Sequence, residues 1–404
     1  MSVEAKIPEV GGLVEPGFEG VRDAFAHNFV EHGEVGAGYA LYVDGELVVD
    51  IWGGTADVKA GTPYTDDSLQ LVFSTTKGAM AACANLLAQR GQLDVDAPVA
   101  EYWPEFAQHG KAHIPVRWLL CHKAGLPTID AVLTARDVFA WDPVIHALEV
   151  QEPYWEPGTA HGYHAITYGY LVGEVVRRIS GKSLGTFWHD EIAEPLGLQF
   201  WIGLPSEHEH RVAPLIAMGA SRDGGEGTSL TALLGPDSMM ARALSLNGSF
   251  ADLGHGFNNP DLHAAEMPAA NGITNARSLA RFYAALAGTV DGGPAEPLLT
   301  ENQIEQARTC QTAGPDQVLS FPGIEVATTI GLGFWTASTF APYGGARSFG
   351  HGGAGGSVGF VDPEARVAGG YVMNRMVQGL VGDPRSRGLI TASYEAVGAP
   401  IAFV

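Results

Sequence analysis

The chain has 404 residues, 46% of them hydrophobic, and a formal net charge of −22. That length can bury a large core in two or three lobes, and that charge disfavours nucleic acid and acidic membrane surfaces as partners. Cys83, Cys121 and Cys310 are too few and too scattered for a disulfide framework and fit a reducing cytoplasm. Residues 1–16 lack an apolar secretory core, and no apolar run of about 20 residues is present to span a membrane.

Val21, Phe25 and Phe29 recur every four residues across 17–32, and Gly33 follows. This predicts an amphipathic helix closed by a glycine. Apolar runs at 39–43 and 47–51 flank Asp44-Gly45 and predict a β-hairpin. Ser74-Thr75-Thr76-Lys77 then opens an Ala- and Leu-rich stretch that reads as a buried helix over 75–89. Positions i and i+3 share a helix face, so Lys77 can aim its amine at the Ser74 oxygen. A hydroxyl is a poor nucleophile until a neighbour takes its proton.

From 92 to 290 the pattern is helical pieces and long loops. Helices are predicted at 168–179, closed near Gly181, and at 276–287, capped by Thr274 or Asn275. The segment 217–271 is rich in Gly, Ser and Pro and reads as a long irregular loop on the substrate side. Runs at 357–361 and 367–373 around Asp362-Pro363-Glu364-Ala365 predict a second hairpin, and 389–397 a terminal helix. Strands at both ends with helices between them predict an α+β fold. Its antiparallel sheet, flanked by helices, comes from 1–73 and 290–404. A mostly helical domain, 74–289, is inserted, and the active site lies between the two.

Three further segments could complete a serine site. Tyr163 follows the turn Pro157-Gly158 and could relay a proton from a loop. Phe349-Gly350-His351-Gly352-Gly353-Ala354 precedes the last hairpin, and its glycines let a backbone approach a ligand closely. Leu119-Leu120-Cys121-His122-Lys123-Ala124-Gly125-Leu126-Pro127 joins an apolar helix end to a turn, which His122 would brace. With Glu194-Pro195-Leu196-Gly197-Leu198, these motifs occur in an order that resembles the serine β-lactamase and penicillin-binding-protein superfamily. The nearest likeness is to family VIII carboxylesterases, relatives of class C β-lactamases, over residues 17–395.

The resemblance implies roles. Ser74 would be the acylated nucleophile, and Lys77 its base or part of a proton network with Tyr163. Tyr163 would protonate the leaving alcohol. The Ser74 and Ala354 N–H groups would form the oxyanion hole. His351, Gly353 and His164 would line the substrate pocket. Two departures matter: Ala165 replaces the Asn of the Tyr-x-Asn pattern, and His351-Gly-Gly replaces Lys-Thr-Gly. Both turn the reading from β-lactams toward esters, because a simple ester needs no clamp for a carboxylate.

Competing motifs fail. Gly355-Gly356-Ser357-Val358-Gly359 matches a nucleophile elbow, but a strand follows it and no histidine lies downstream of His351. Gly181-Lys182-Ser183 lacks the phosphate-loop glycine, which is Val176 here. The pairs His208/His210 and His109/His113 lack the Glu of a metal-binding helix, so no metal and no cofactor are expected. The expectation is a cytoplasmic serine carboxylesterase acting on small, short-chain esters. Alternatives on the same site are an acyltransferase, an amidase, a D-amino-acid peptidase or a weak β-lactamase, and, in another class, a catalytically silent penicillin-binding-like protein. The sequence carries no signal for the oligomeric state.

Overall fold

Strands from the two ends of the sequence interleave in one sheet. A computed structural model describes residues 8–220, 234–235, 237–251, 253–321, 323–377 and 382–403. In chain order the strands are β1 Val10–Val14, β2 Gly36–Val43, β3 Glu46–Asp57, β4 Thr62–Pro63, β5 Gln70–Leu71, β6 Phe200–Trp201, β7 Ile273–Thr274, β8 Trp335–Thr336, β9 Phe349–Gly352, β10 Val358–Asp362 and β11 Val367–Met373. The main sheet runs β1-β3-β2-β11-β10-β9-β8, with β4 beside β3 and every pair antiparallel. At its centre β2 pairs with β11, from Val367↔Val43 to Met373↔Ala37. Both predicted hairpins are present. Asp44 (φ 52°) and Gly45 (φ 81°) are both left-handed, the turn geometry that matches strand twist.

Helices cover both faces. On one side α1, Glu19–Glu31, packs with the C-terminal helix Pro384–Val397, where the Tyr39 and Ser393 hydroxyls meet at 2.8 Å. On the other side the helix Ala276–Ala287 lies on β2, β10 and β11. It sits close because Gly370 faces it: a Cβ there would come within 2.7 Å of Ala276 O and Ala280 N. Of the two candidate caps, Thr274 and Asn275, the helix uses Asn275, whose side chain accepts from Ser278 N at 2.8 Å.

The helix α2, Thr76–Gln89, is buried on all sides from Thr76 to Leu87. Ala79, Ala81, Ala82 and Ala84 favour the helix and keep it narrow enough for neighbours on every side. It packs against the helix Thr167–Ser180 and against β9. A Cβ at Gly78 would lie 2.2 Å from the Tyr283 hydroxyl, so the helix covering the sheet also touches the start of α2.

Three expectations need correcting. The terminal helix begins at Pro384, five residues before the predicted start, because the Asp383 carboxylate accepts from Arg385 N at 2.9 Å and Pro384 stands in the first turn. The stretch 217–271 is not wholly irregular. Helices occur at Met239–Ser245 and Pro260–Ala264, capped by the Ser238 and Asn259 side chains; residues 221–233, 236 and 252 of this stretch lie outside the described residues. A small sheet, β5-β7-β6, and the edge strand β1 were not anticipated. Among the described residues no helix is long and apolar enough to cross a membrane.

Candidate active site

Ser74 stands in a sharp turn between β5 and α2. Phe73, just before it, has φ +45°, costly for a residue with a Cβ. The neighbours enforce this turn. Val72 N donates to Gly272 O at 2.9 Å, and the Thr76 hydroxyl accepts from Gly272 N at 2.8 Å. Lys77 N donates to Ser74 O at 2.9 Å, so Ser74 sits at the mouth of the helix. No acidic residue occupies the first turn of α2, which leaves the positive end of its dipole uncompensated by side chains.

Lys77 is fully buried. Its Nζ lies 3.1 Å from Ser74 Oγ and donates to Ala165 O at 2.7 Å and Ala269 O at 2.9 Å. It also lies 4.9 Å from the centre of the Tyr163 ring. Burial alone drives the Lys77 pKa well below its ordinary value. Sequence reasoning missed both carbonyls. Ala165 has no side-chain amide, yet its main chain holds the amine.

Three consecutive N–H groups fix Tyr163. Gly162 N donates to His122 O at 3.1 Å, Tyr163 N to Asp316 Oδ1 at 3.0 Å, and His164 N to His122 Nδ1 at 3.1 Å. His122 takes this position with φ +61°. The Tyr163 hydroxyl is buried and closes no hydrogen bond among the described residues. Burial raises its pKa above the usual phenol range, the nearby Ser74 hydroxyl opposes that rise, and Asp316 adds to it.

The two other pocket histidines differ. His164 is fully buried with both ring nitrogens committed: Nε2 accepts from Leu126 N at 2.9 Å, and Nδ1 faces Gly162 O at 2.6 Å. It braces the turn and has no ring atom left for a ligand. His351 stacks on Trp335 at 4.3 Å between ring centres, with Nδ1 on Gly352 O at 2.7 Å. Its Nε2 is buried and without a partner among the described residues. Burial first, then the Lys77 amine, push its pKa down to about 3, so the ring is neutral. His351 and Tyr163 face each other with ring centres 6.4 Å apart.

The strand β9 meets the Ser74 turn through Gly353, where a Cβ would fall 2.2 Å from Val72 O and 2.3 Å from Ser357 Oγ. Ser357 Oγ donates to Val72 O at 2.9 Å and pairs with Thr75 Oγ1 at 3.0 Å. The elbow-like serine is therefore a buried rivet between β10 and the turn that carries Ser74. Ala354 follows Gly353 in a turn, half-buried. Elsewhere, His189, Asp190 and Glu194 form one exposed group of potential metal donors with atoms within 4.8 Å of one another, apart from this site.

Ser74, Lys77, Tyr163 and His351 thus converge, with Gly353 packed against the Ser74 turn. A family model described as "Beta-lactamase" matches residues 21–392. "Esterase/beta-lactamase LipL" of Mycobacterium tuberculosis is 36% identical over 384 residues, covering 92% of this chain and 84% of that protein. The crystal structure of a family VIII carboxylesterase superposes with a TM-score of 0.82 at 37% identity, covering 96% of this chain and all of that one (100%). EstA from Arthrobacter nitroguajacolicus Rue61a superposes with a TM-score of 0.84 at 33% identity, covering 96% and 99%.

Proposed function

Because this chain belongs to the beta-lactamase family, whose hydrolases act through a serine, we propose that it is a carboxylesterase cleaving small esters through an acyl-enzyme on Ser74. The observation that carries this reading is the setting of the Lys77 amine. A neutral amine has two N–H bonds and one lone pair. The Ala165 and Ala269 carbonyls take the two N–H bonds, and the third direction is open to Ser74 Oγ at 3.1 Å. Burial favours that neutral form.

Catalysis then follows from proton bookkeeping. Lys77 Nζ takes the Ser74 proton as Oγ bonds to the ester carbon. The carbonyl oxygen becomes an oxyanion facing the Ser74 and Ala354 N–H groups and the positive end of α2. As the C–O bond breaks, Tyr163, protonated by virtue of its raised pKa, gives its proton to the leaving alkoxide and regains one from Lys77. Water repeats the sequence to release the acid. His351 and Trp335 form a neutral aromatic wall, and His164 braces the Tyr163 turn. Part of the name of the mycobacterial relative is "beta-lactamase", but a neutral His351 gives no fixed cation to a β-lactam carboxylate.

We assign the sheet and the mostly helical part to two lobes with Ser74 at their junction. The three cysteines are unpaired, which supports a reducing compartment such as the cytoplasm. A fluorophosphonate probe is expected to form one adduct, located on Ser74 by peptide mass; an adduct elsewhere, or none, refutes the reading. Ser357→Ala should keep ester hydrolysis within about tenfold of the parent and lose about 2 kcal/mol of stability in urea unfolding, the worth of its two buried hydrogen bonds. Complete inactivity of a folded Ser357→Ala protein would return the nucleophile role to Ser357.

A further inference from the structure

The turn Gly353–Ser357 has little stiffness of its own. Gly355 (φ +87°) and Gly356 (φ +129°) both occupy the left-handed region, which glycine enters and leaves freely. Yet this turn carries Ala354. On one side it rests on the nucleophile turn, through Gly353 and Ser357. On the other side it meets a wholly buried ion cluster centred on Arg385.

Arg385 joins the turn to several acceptors at once. Arg385 Nη2 donates to Gly355 O at 2.8 Å and Asp383 Oδ2 at 2.7 Å. Its Nε reaches both Asp383 oxygens at 3.1 Å. Its Nη1 reaches Glu34 Oε1 at 2.9 Å and Arg375 O at 3.0 Å. Glu34 in turn accepts from the Tyr371 hydroxyl on β11. A Cβ at Gly356 would lie 2.0 Å from Asp383 Oδ2 and 2.7 Å from Arg385 Nη2, so the turn's backbone is pressed against the charges. A pocket of about 30 Å³ is lined by Gly353 and Gly356 of the turn together with Asp383 and Ser386.

A buried ion cluster is a poor source of stability, because desolvation offsets most of the attraction and apolar packing would serve as well. Its geometric yield is different: a planar fork with five donors fixes several acceptors at once, which an ammonium cannot do. We propose that Arg385 is a positioning residue for acyl transfer. With Asp383, it holds the Gly353–Ser357 turn at the distance from Ser74 where the Ala354 N–H meets the oxyanion. This rests on the assignment of Ser74 as nucleophile and Ala354 N–H as oxyanion donor.

The test compares p-nitrophenyl acetate with its thiono analogue, in which sulfur replaces the carbonyl oxygen. A hole shaped for oxygen discriminates against the larger, weaker acceptor. The ratio of the two rates is independent of how much protein is folded, so general destabilisation does not move it. In Arg385→Lys the oxygen-to-sulfur ratio of kcat is expected to fall about tenfold or more, with KM for the oxygen ester within about twofold, as for a loosened oxyanion donor. Asp383→Asn, which retains a cap for the helix, should lower the ratio in the same direction and decides the matter if Arg385→Lys does not fold. A parental ratio in either folded variant overturns the proposal. Ser74→Ala is assayed alongside. Full activity there overturns the catalytic reading itself, whereas a dead Ser74→Ala with a parental ratio in Arg385→Lys overturns only the role of Arg385.

Discussion

Ser74→Ala is expected to lower kcat/KM for a short-chain p-nitrophenyl ester by at least about 10⁴-fold, the scale on which loss of a nucleophile abolishes acyl transfer. Melting should be unchanged or nearly so, because Ser74 is only half-buried and its hydroxyl is held by a hydrogen bond to Lys77 at the rim of the buried region. A variant that folds and still hydrolyses the ester at a tenth of the parental rate would remove Ser74 from the mechanism.

Lys77 should show the second large effect, on activity and on the pH dependence of stability. Lys77→Arg places a permanent cation where a neutral amine is needed, so a loss of at least about 10³-fold is expected even though the charge type is conserved. Lys77→Met should lose activity to a similar degree. In the parent, kcat/KM should rise with pH as Lys77 deprotonates through its depressed pKa. His351 and His164, held down to about 3 and about 4, are neutral at neutral pH and supply no limb there. Linkage gives the stability. The unfolded chain binds a proton on Lys77 up to its ordinary value of 10.5, while the folded chain releases it earlier. Between the depressed pKa and 10.5 the unfolded state holds more protons, so this group makes stability rise with pH. Lys77→Met should lack that slope. Denaturant unfolding across pH checks this, and an identical slope in both proteins would mean that Lys77 is not buried as an amine.

What was readable in the sequence was mostly local. Asp44-Gly45, the four-residue spacing of Val21, Phe25 and Phe29, and the Asn275 cap each act within a few residues, so the chain states them directly. Asp383-Pro384 was just as local. It lies outside the apolar pattern of that helix, which starts only at Leu389, and packing of the first turn is ionic. β1, Val-Gly-Gly-Leu-Val, is too short and glycine-rich to read as a strand; its pairing with β3 makes it one.

The site divides in the same way. Ser74 and Lys77 share one helical turn and were legible as a pair. The carbonyls that hold Lys77 come from 88 and 192 residues away, and any residue type could supply them. His164 was placed facing the pocket, but the tautomer and partners of an imidazole are set by the fold. The Arg385 cluster joins residues 351 apart, and nothing near Arg385 in the chain foretells Glu34.

The pairing of β2 with β11 has a consequence for how this molecule comes into being. Tyr39 waits for Tyr371. Closing a loop of that size costs about 5 kcal/mol of chain entropy, by the logarithmic rule. At about 10 residues per second, the ribosome needs roughly half a minute to deliver the second strand after the first. Until then the hairpin β2–β3 has a bare edge, and the apolar flank of α2 lacks the sheet that seals it. The emerging chain therefore passes through a long interval with Ser74, the proposed nucleophile, already made and the Gly353–Ser357 turn not yet synthesised. During that interval an unpaired central strand is its main hazard, and a chaperone's shelter matters most.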